Sequence, residues 1–150
     1  MVAEGAGKKV LVVEDDRDAA EAVQIVLEGE GYSVSRAESA GEGLQKARSE
    51  RPDVILLDIM MPSGTEGFHF VWSLRKEEEE RVRSIPIVVL TAIHEKTWVK
   101  LYPDQSDPVY EPGEYLPVQG FLDKPASSEQ LLSKVKEVLE AGSAAAQGGA

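Results

Sequence analysis

The chain predicts an α/β domain on a doubly wound, five-stranded parallel sheet, and three features of the sequence carry that reading. Two runs, Val10-Leu11-Val12-Val13 and Val54-Ile55-Leu56-Leu57, are apolar without any polar alternation, as strands buried on both faces are. Stretches with helical spacing of apolar residues separate these and three further short runs, the pattern of strand and crossover helix repeated along the chain. Chemically reactive side chains also stand just beyond the strands, at the edge where open α/β sheets place their ligand crevice.

In chain order, 8–13 reads as the first strand and ends in Glu14-Asp15-Asp16. Ala19, Ala20, Val23, Val26 and Leu27 then recur at helical spacing until Gly29 and Gly31 stop the pattern. Residues 32–36 suit a second strand. Ser39 can cap a helix through Arg48, with Leu44 and Ala47 inward. The third strand, 53–57, runs directly into Asp58. After the turn at 62–67, a third helix directs Phe68, Val71, Trp72 and Leu74 inward and continues through 75–83 as a solvated, charged helix end. Residues 86–90 form a fourth strand ending on Thr91, and 118–122 a fifth, followed by Asp123-Lys124-Pro125. Ser127 with Gln130 makes a capping box for a last helix whose Leu131, Leu132, Val135, Val138 and Leu139 keep a 3.6 period. The expected organisation is a flexible N-terminus (1–7), one domain (8–140) and a flexible C-terminal tail (141–150) made only of Gly, Ala, Ser and Gln.

Composition narrows the function classes. A chain of 150 residues with 42% hydrophobic content suits a single domain with a real core. A net charge of -11 opposes direct binding to nucleic acid or to an anionic membrane, and favours a protein or small-molecule partner. The absence of cysteine excludes disulfides and thiolate chemistry. No run has the length of a signal peptide or a membrane span, so a cytoplasmic protein without membrane insertion is expected. His69 and His94 have no partner at metal-ligand spacing, and Trp72 and Trp98 read as packing residues.

In a parallel sheet all strand carboxyl ends share one rim, so Glu14, Asp15, Asp58, Thr91 and Lys124 converge there although they are far apart in sequence. Each alone has a plainer role, such as Asp15 or Asp16 as the cap of the first helix; the convergence is the signal. Two carboxylates about 4 Å apart repel by roughly 4 kcal/mol at an effective dielectric of 20. A hard divalent cation relieves that repulsion, and Mg²⁺ suits all-oxygen ligands and bridging to phosphate. An aspartate beside the metal can then act as nucleophile toward a phosphoryl group. Thr91 is placed to donate to a phosphoryl oxygen, and Lys124 to neutralise its charge.

Over 8–140 the chain resembles the response-regulator receiver domains of two-component signalling. The resemblance rests on Val13-Glu14-Asp15-Asp16, Leu57-Asp58-Ile59-Met60-Met61-Pro62, Leu90-Thr91-Ala92 and Phe121-Leu122-Asp123-Lys124-Pro125. It implies the flavodoxin-like receiver fold with strand order 2-1-3-4-5, an order of which receivers are themselves a familiar example. It further implies a stand-alone phosphoacceptor: Asp58 takes a phosphoryl group from a histidine kinase or phosphotransfer protein with Mg²⁺, and a partner-binding surface switches in response. Asp15 and Asp58 are then direct metal ligands, Glu14 acts through water, and the Met60 carbonyl completes the set. Thr91 and Lys124 sense the phosphoryl group, Thr91 and Phe121 form the switch, and the Lys124-Pro125 bond is cis. The downstream partner implied is a protein target.

Several positions depart from the family pattern. Phe121 lacks a tyrosine hydroxyl, and the turn 62–67 is one residue longer than usual. The connection between Thr91 and Phe121 is also long, and Pro103, Pro108, Pro112 and Pro117 disfavour a continuous fourth helix beyond a short one at 95–101. That atypical segment, with Tyr102, Tyr110 and Tyr115 among acidic residues, is expected to form a partner-specific surface that blocks the usual dimer. Met60 cannot hydrogen-bond an attacking water, which implies slow loss of phosphate. Two alternatives stay open: a degenerate, non-phosphorylated receiver used as an interaction scaffold, and an aspartyl-phosphate phosphohydrolase, which would want a second acid where Met60 stands. A flavin protein of similar topology fits worse, because the first turn is acidic where a phosphate cradle needs Gly, Ser or Thr.

Overall fold

The computed structural model describes residues 7–58, 66–91, 119–123 and 127–148; for Glu66, Phe68, Thr91, Phe121, Asp123 and 141–148 it describes the backbone. The element order is β1 (Lys9–Val13), α1 (Arg17–Gly29), β2 (Ser33–Ala37), α2 (Ala40–Glu50), β3 (Val54–Asp58), α3 (Glu66–Arg75), α4 (Glu80–Arg83), β4 (Ile87–Thr91), β5 (Gly120–Asp123) and α5 (Ser128–Gly148). All neighbouring strands are parallel, in the order β2-β1-β3-β4-β5. The α/β class with a parallel sheet is therefore the observed one.

The pleat explains why the central strands lack polar residues. Successive side chains point to opposite faces. Leu11, Val13, Ile55, Leu57, Ile87 and Val89 pack with Phe70, Val71, Leu74 and Ala47 of α3 and α2 on one side. Their strand neighbours Val10, Val12, Val54, Leu56, Val88 and Leu90 pack with Ala20 and Leu27 of α1 and Leu131, Val135 and Val138 of α5 on the other. Every residue of β3 is buried, Asp58 included.

Local chemistry sets the helix ends. Asp16 is the N-cap of α1, its Oδ1 accepting from the amides of Asp18 (2.9 Å) and Ala19 (3.2 Å). Gly31, at φ 93°, turns the chain out of α1 toward β2. Ser39 caps α2. The Ser127 amide donates to Gln130 Oε1 (2.9 Å) while the Gln130 amide donates to Ser127 Oγ (3.1 Å), the capping box expected for the last helix.

The structure corrects the sequence reading in several places. Residues 76–83 do not continue α3 as a solvated helix end. The last turn of α3 tightens through Lys76 N to Ser73 O (3.2 Å) and Glu77 N to Leu74 O (3.1 Å), and the chain re-forms a short α4. Two contacts drive this: Val82 is 1% exposed and joins the core, and Glu77 and Glu79 pair with Arg48 (2.8 Å) and Arg51 (2.7 Å). Among the described side chains of α3 the largest buried one is Phe70, which the sequence reading passed over, whereas Trp72 is half-buried. The closing helix extends beyond 140 to Gly148, into the stretch expected to be a tail, where Ala and Gln are good helix formers. All five strands begin one or two residues later than expected. The long turn at 62–65, the 94–117 segment, His94, Trp98 and the Lys124-Pro125 bond lie outside the described residues.

Candidate functional site

The rim site follows from strand register. Val13 pairs with Leu57, so Glu14, the first residue beyond β1, meets Asp58, the last residue of β3. The Glu14 amide donates to Ala37 O of β2 (2.9 Å), so its backbone is held on the other side as well. Asp15 follows at the surface. One carboxylate oxygen from each of Glu14, Asp15 and Asp58 falls in a group whose members all lie within 4.8 Å of one another. Glu14 and Asp58 are each only 4% exposed, while Asp15 is open to solvent.

The two acids left open as the cap of α1 take separate roles. Asp16 is the cap, and its amide also donates to Glu14 Oε1 (3.3 Å), which orients that carboxylate. Asp15 is thereby released for the trio. The donor set fits a hard cation, being all oxygen with no histidine or thiolate. Two oxygens on one Mg²⁺ at about 2.1 Å lie at most about 4.2 Å apart, close to the 4.8 Å span within which the trio's oxygens fall, so the trio suits one small ion with one of the three carboxylates acting through water.

The remaining site residues are placed less completely. Thr91 ends β4 and pairs in register with Asp123 of β5, which puts its backbone on the same rim, next to the strand that carries Asp58. Phe121 pairs with Val89, two residues inside the Thr91–Asp123 pair. Met60 and Lys124 lie outside the described residues. His69 is exposed and is not part of the acidic group.

Beside the trio, Glu14 also lines a cleft of about 310 Å³ with Arg17, Ala20, Arg36, Glu38, Glu42 and Lys46. Sequence reasoning missed this cleft, because its walls come from β2 and α2 as well as α1. Arg17 Nε donates to Glu38 Oε1 at 2.6 Å, and this bond together with the Glu38 charge raises the Arg17 pKa above its ordinary value.

A doubly wound parallel sheet with an acidic, cation-suited rim defines the CheY-like class of α/β proteins. The family model for the response regulator receiver domain matches residues 10–104. PilH of Pseudomonas aeruginosa is 33% identical over 131 residues, covering 87% of this chain and 97% of PilH. The phosphate regulon transcriptional regulatory protein PhoB of Escherichia coli is 33% identical over 132 residues, 88% of this chain but 52% of PhoB, so the chain spans about half the length of that relative. Among solved structures, the chemotaxis response regulator CheY4 of Vibrio cholerae superposes with a TM-score of 0.67 at 31% identity, covering 87% of this chain and 98% of CheY4. The chain belongs to the response-regulator receiver family of two-component signalling. Members are signalling proteins rather than classical enzymes; they generally bind Mg²⁺ at an acidic pocket and interact with histidine kinases or phosphotransfer proteins and with downstream targets. No helix among the described residues is long and apolar enough to cross a membrane.

Proposed function

We propose that this chain is a phosphoacceptor in a phosphorelay and that Asp58 takes the phosphoryl group. The observation that carries the reading is a buried Asp58 carboxylate at the end of β3, grouped with Glu14 and Asp15. Glu14, Asp15, Asp58 and the Met60 carbonyl would hold Mg²⁺, which when bound offsets the charge of the trio and of the incoming phosphoryl oxygens.

An Asp58 oxygen attacks phosphorus as the bond to the donor, a phosphohistidine nitrogen or an acyl oxygen, breaks and its electron pair leaves with the donor. The acyl phosphate remains on Asp58. The strand holds the carboxylate in place for this attack, so little freedom is lost in the transition state. Thr91 donates to one phosphoryl oxygen and Lys124 neutralises another, roles supported by the motifs that carry them and by the rim position of the Thr91 backbone. Movement of Thr91 and Phe121 passes the change to a protein partner in the cytoplasm, and Met60 leaves the product slow to hydrolyse.

The test is incubation of wild type and Asp58→Ala with acetyl phosphate and Mg²⁺, followed by mass spectrometry of the intact proteins. A single labile phosphate on wild type alone is expected. An unmodified wild type would favour a scaffold, and sustained turnover of acetyl phosphate would favour a phosphohydrolase.

A further inference from the structure

Arg17 opens α1 two residues after Asp15, and its guanidinium shares a cleft with Glu14. A guanidinium in that cleft is a competitor to a metal for the Glu14 carboxylate. In the structure its charge is engaged elsewhere, by Glu38 at 2.6 Å, although both side chains are open to solvent at 79% and 52%.

The backbone that carries Glu38 is well tied down. It lies between β2 and the N-cap of α2, and its amide donates to Glu42 Oε1 (2.6 Å) while Ser39 Oγ accepts from the Glu42 amide (3.2 Å). One turn further along α2, the Lys46 ammonium donates to the Arg36 carbonyl of β2. On the opposite side, Ala37 O accepts from the Glu14 amide (2.9 Å). The turn that carries Glu38 is thus tied both to α2 and to the strand end that carries a site carboxylate. The anchored turn fixes where the Glu38 carboxylate starts from, at the edge of the cleft it shares with Arg17 and Glu14.

We infer that Glu38 is a positioning residue for the cation site: it parks the Arg17 guanidinium on the β2–α2 turn and keeps Glu14, Asp15 and Asp58 available to Mg²⁺. Without the Glu38 charge, Arg17 turns toward the remaining carboxylates of the cleft and the rim, and Mg²⁺ binds against an internal competitor. This rests on the reading of the trio as a Mg²⁺ site and adds to it a residue outside the trio.

Calorimetric titration of Mg²⁺ into wild type, Glu38→Gln, Arg17→Gln and the double variant tests this, with circular dichroism to verify the fold of each. Glu38→Gln is expected to weaken Mg²⁺ binding about fivefold at low salt. Arg17→Gln binds at least as tightly as wild type. The double variant returns to within about twofold of wild type, because Glu38 matters only through Arg17. A double variant as weak as Glu38→Gln, or a Glu38→Gln indistinguishable from wild type, overturns the inference while leaving the metal site intact. A wild type that takes up no Mg²⁺ overturns the site reading itself.

Discussion

Glu14 and Asp58 meet because Val13 of β1 is the register partner of Leu57 of β3, so the residue following each arrives at the same height on the sheet. Neither carboxylate reaches much solvent, and Asp15 adds a third. The protein folds with like charges gathered at one place, and charges of one sign at that range repel.

Asp58→Asn should therefore be more stable than wild type in EDTA, by about 1–2 kcal/mol, because one charge of the trio is gone. Wild type should gain stability as Mg²⁺ is added, by linkage of binding to folding, and the variant should lose most of that gain. Urea melts with and without Mg²⁺ read both effects. A variant less stable than wild type in EDTA would mean that Asp58 is held by contacts worth more than the repulsion.

Gly43 of α2 lies tight against the core. A Cβ there would lie 2.9 Å from Phe70 Cε2 and 3.0 Å from Val13 Cγ2, both of fully buried side chains with no room to retreat. Gly43→Ala should lose about 1–2 kcal/mol despite a helix-propensity gain of about 1 kcal/mol. Gly120→Ala is the control: its new methyl meets Lys134 Cδ at 3.0 Å, part of a flexible chain that can move aside. Thermal melts should show a clear drop for the first and a much smaller change for the second.

Arg75 joins parts of the fold that no strand or helix connects directly. Its Nη1 donates to Arg83 O and Ile85 O (2.7 Å each) and its Nη2 to Gln119 Oε1 (2.9 Å), which also accepts from the Ile87 amide (2.8 Å). Burial lowers its pKa from the ordinary arginine value, yet the group stays charged throughout neutral pH. Arg75→Lys keeps the charge but not the fork. It should cost about 2 kcal/mol and speed amide exchange in β5 more than in β1, with little dependence on pH between about 6 and 8.

Glu77 supplies a pH-dependent contribution. Its hydrogen bonds from Arg48, at 2.9 and 2.8 Å, hold its pKa below the usual carboxylate value of about 4.5. A depressed folded-state pKa means stability that is present above the unfolded value and lost as pH falls through the folded one. Glu77→Gln should thus be less stable than wild type at neutral pH, and the two should converge as the solution is acidified below about 4.5. Parallel urea melts across that range show whether the gap closes.

Much of this was legible in the residues because its causes are local. Unbroken apolar runs marked β1, β3 and β4, the reciprocal Ser127 and Gln130 pattern marked the start of the last helix, and the acids after β1 and β3 marked the rim. The charged stretch after Leu74 was misread for the opposite reason. A helix of glutamates and arginines looks solvated until Arg48 and Arg51, at the end of another helix, become the partners of Glu77 and Glu79 and the lone Val82 turns into the core. Phe70 escaped notice because several spacings of the apolar residues in α3 are compatible with one helical face, and only the position of α2 selects among them.

The order of residues was enough to specify the α/β alternation, the parallel sheet and the acids at the strand ends, since unbroken apolar runs, helical spacing and capping act over a few neighbouring residues. That Asp16 caps α1 while Asp15 joins Glu14 and Asp58, and that Arg17 is drawn to Glu38, emerged only from the assembled fold. Those assignments depend on which strand ends stand side by side, and side chains distant along the chain acquire partners only when the register of the sheet brings them together.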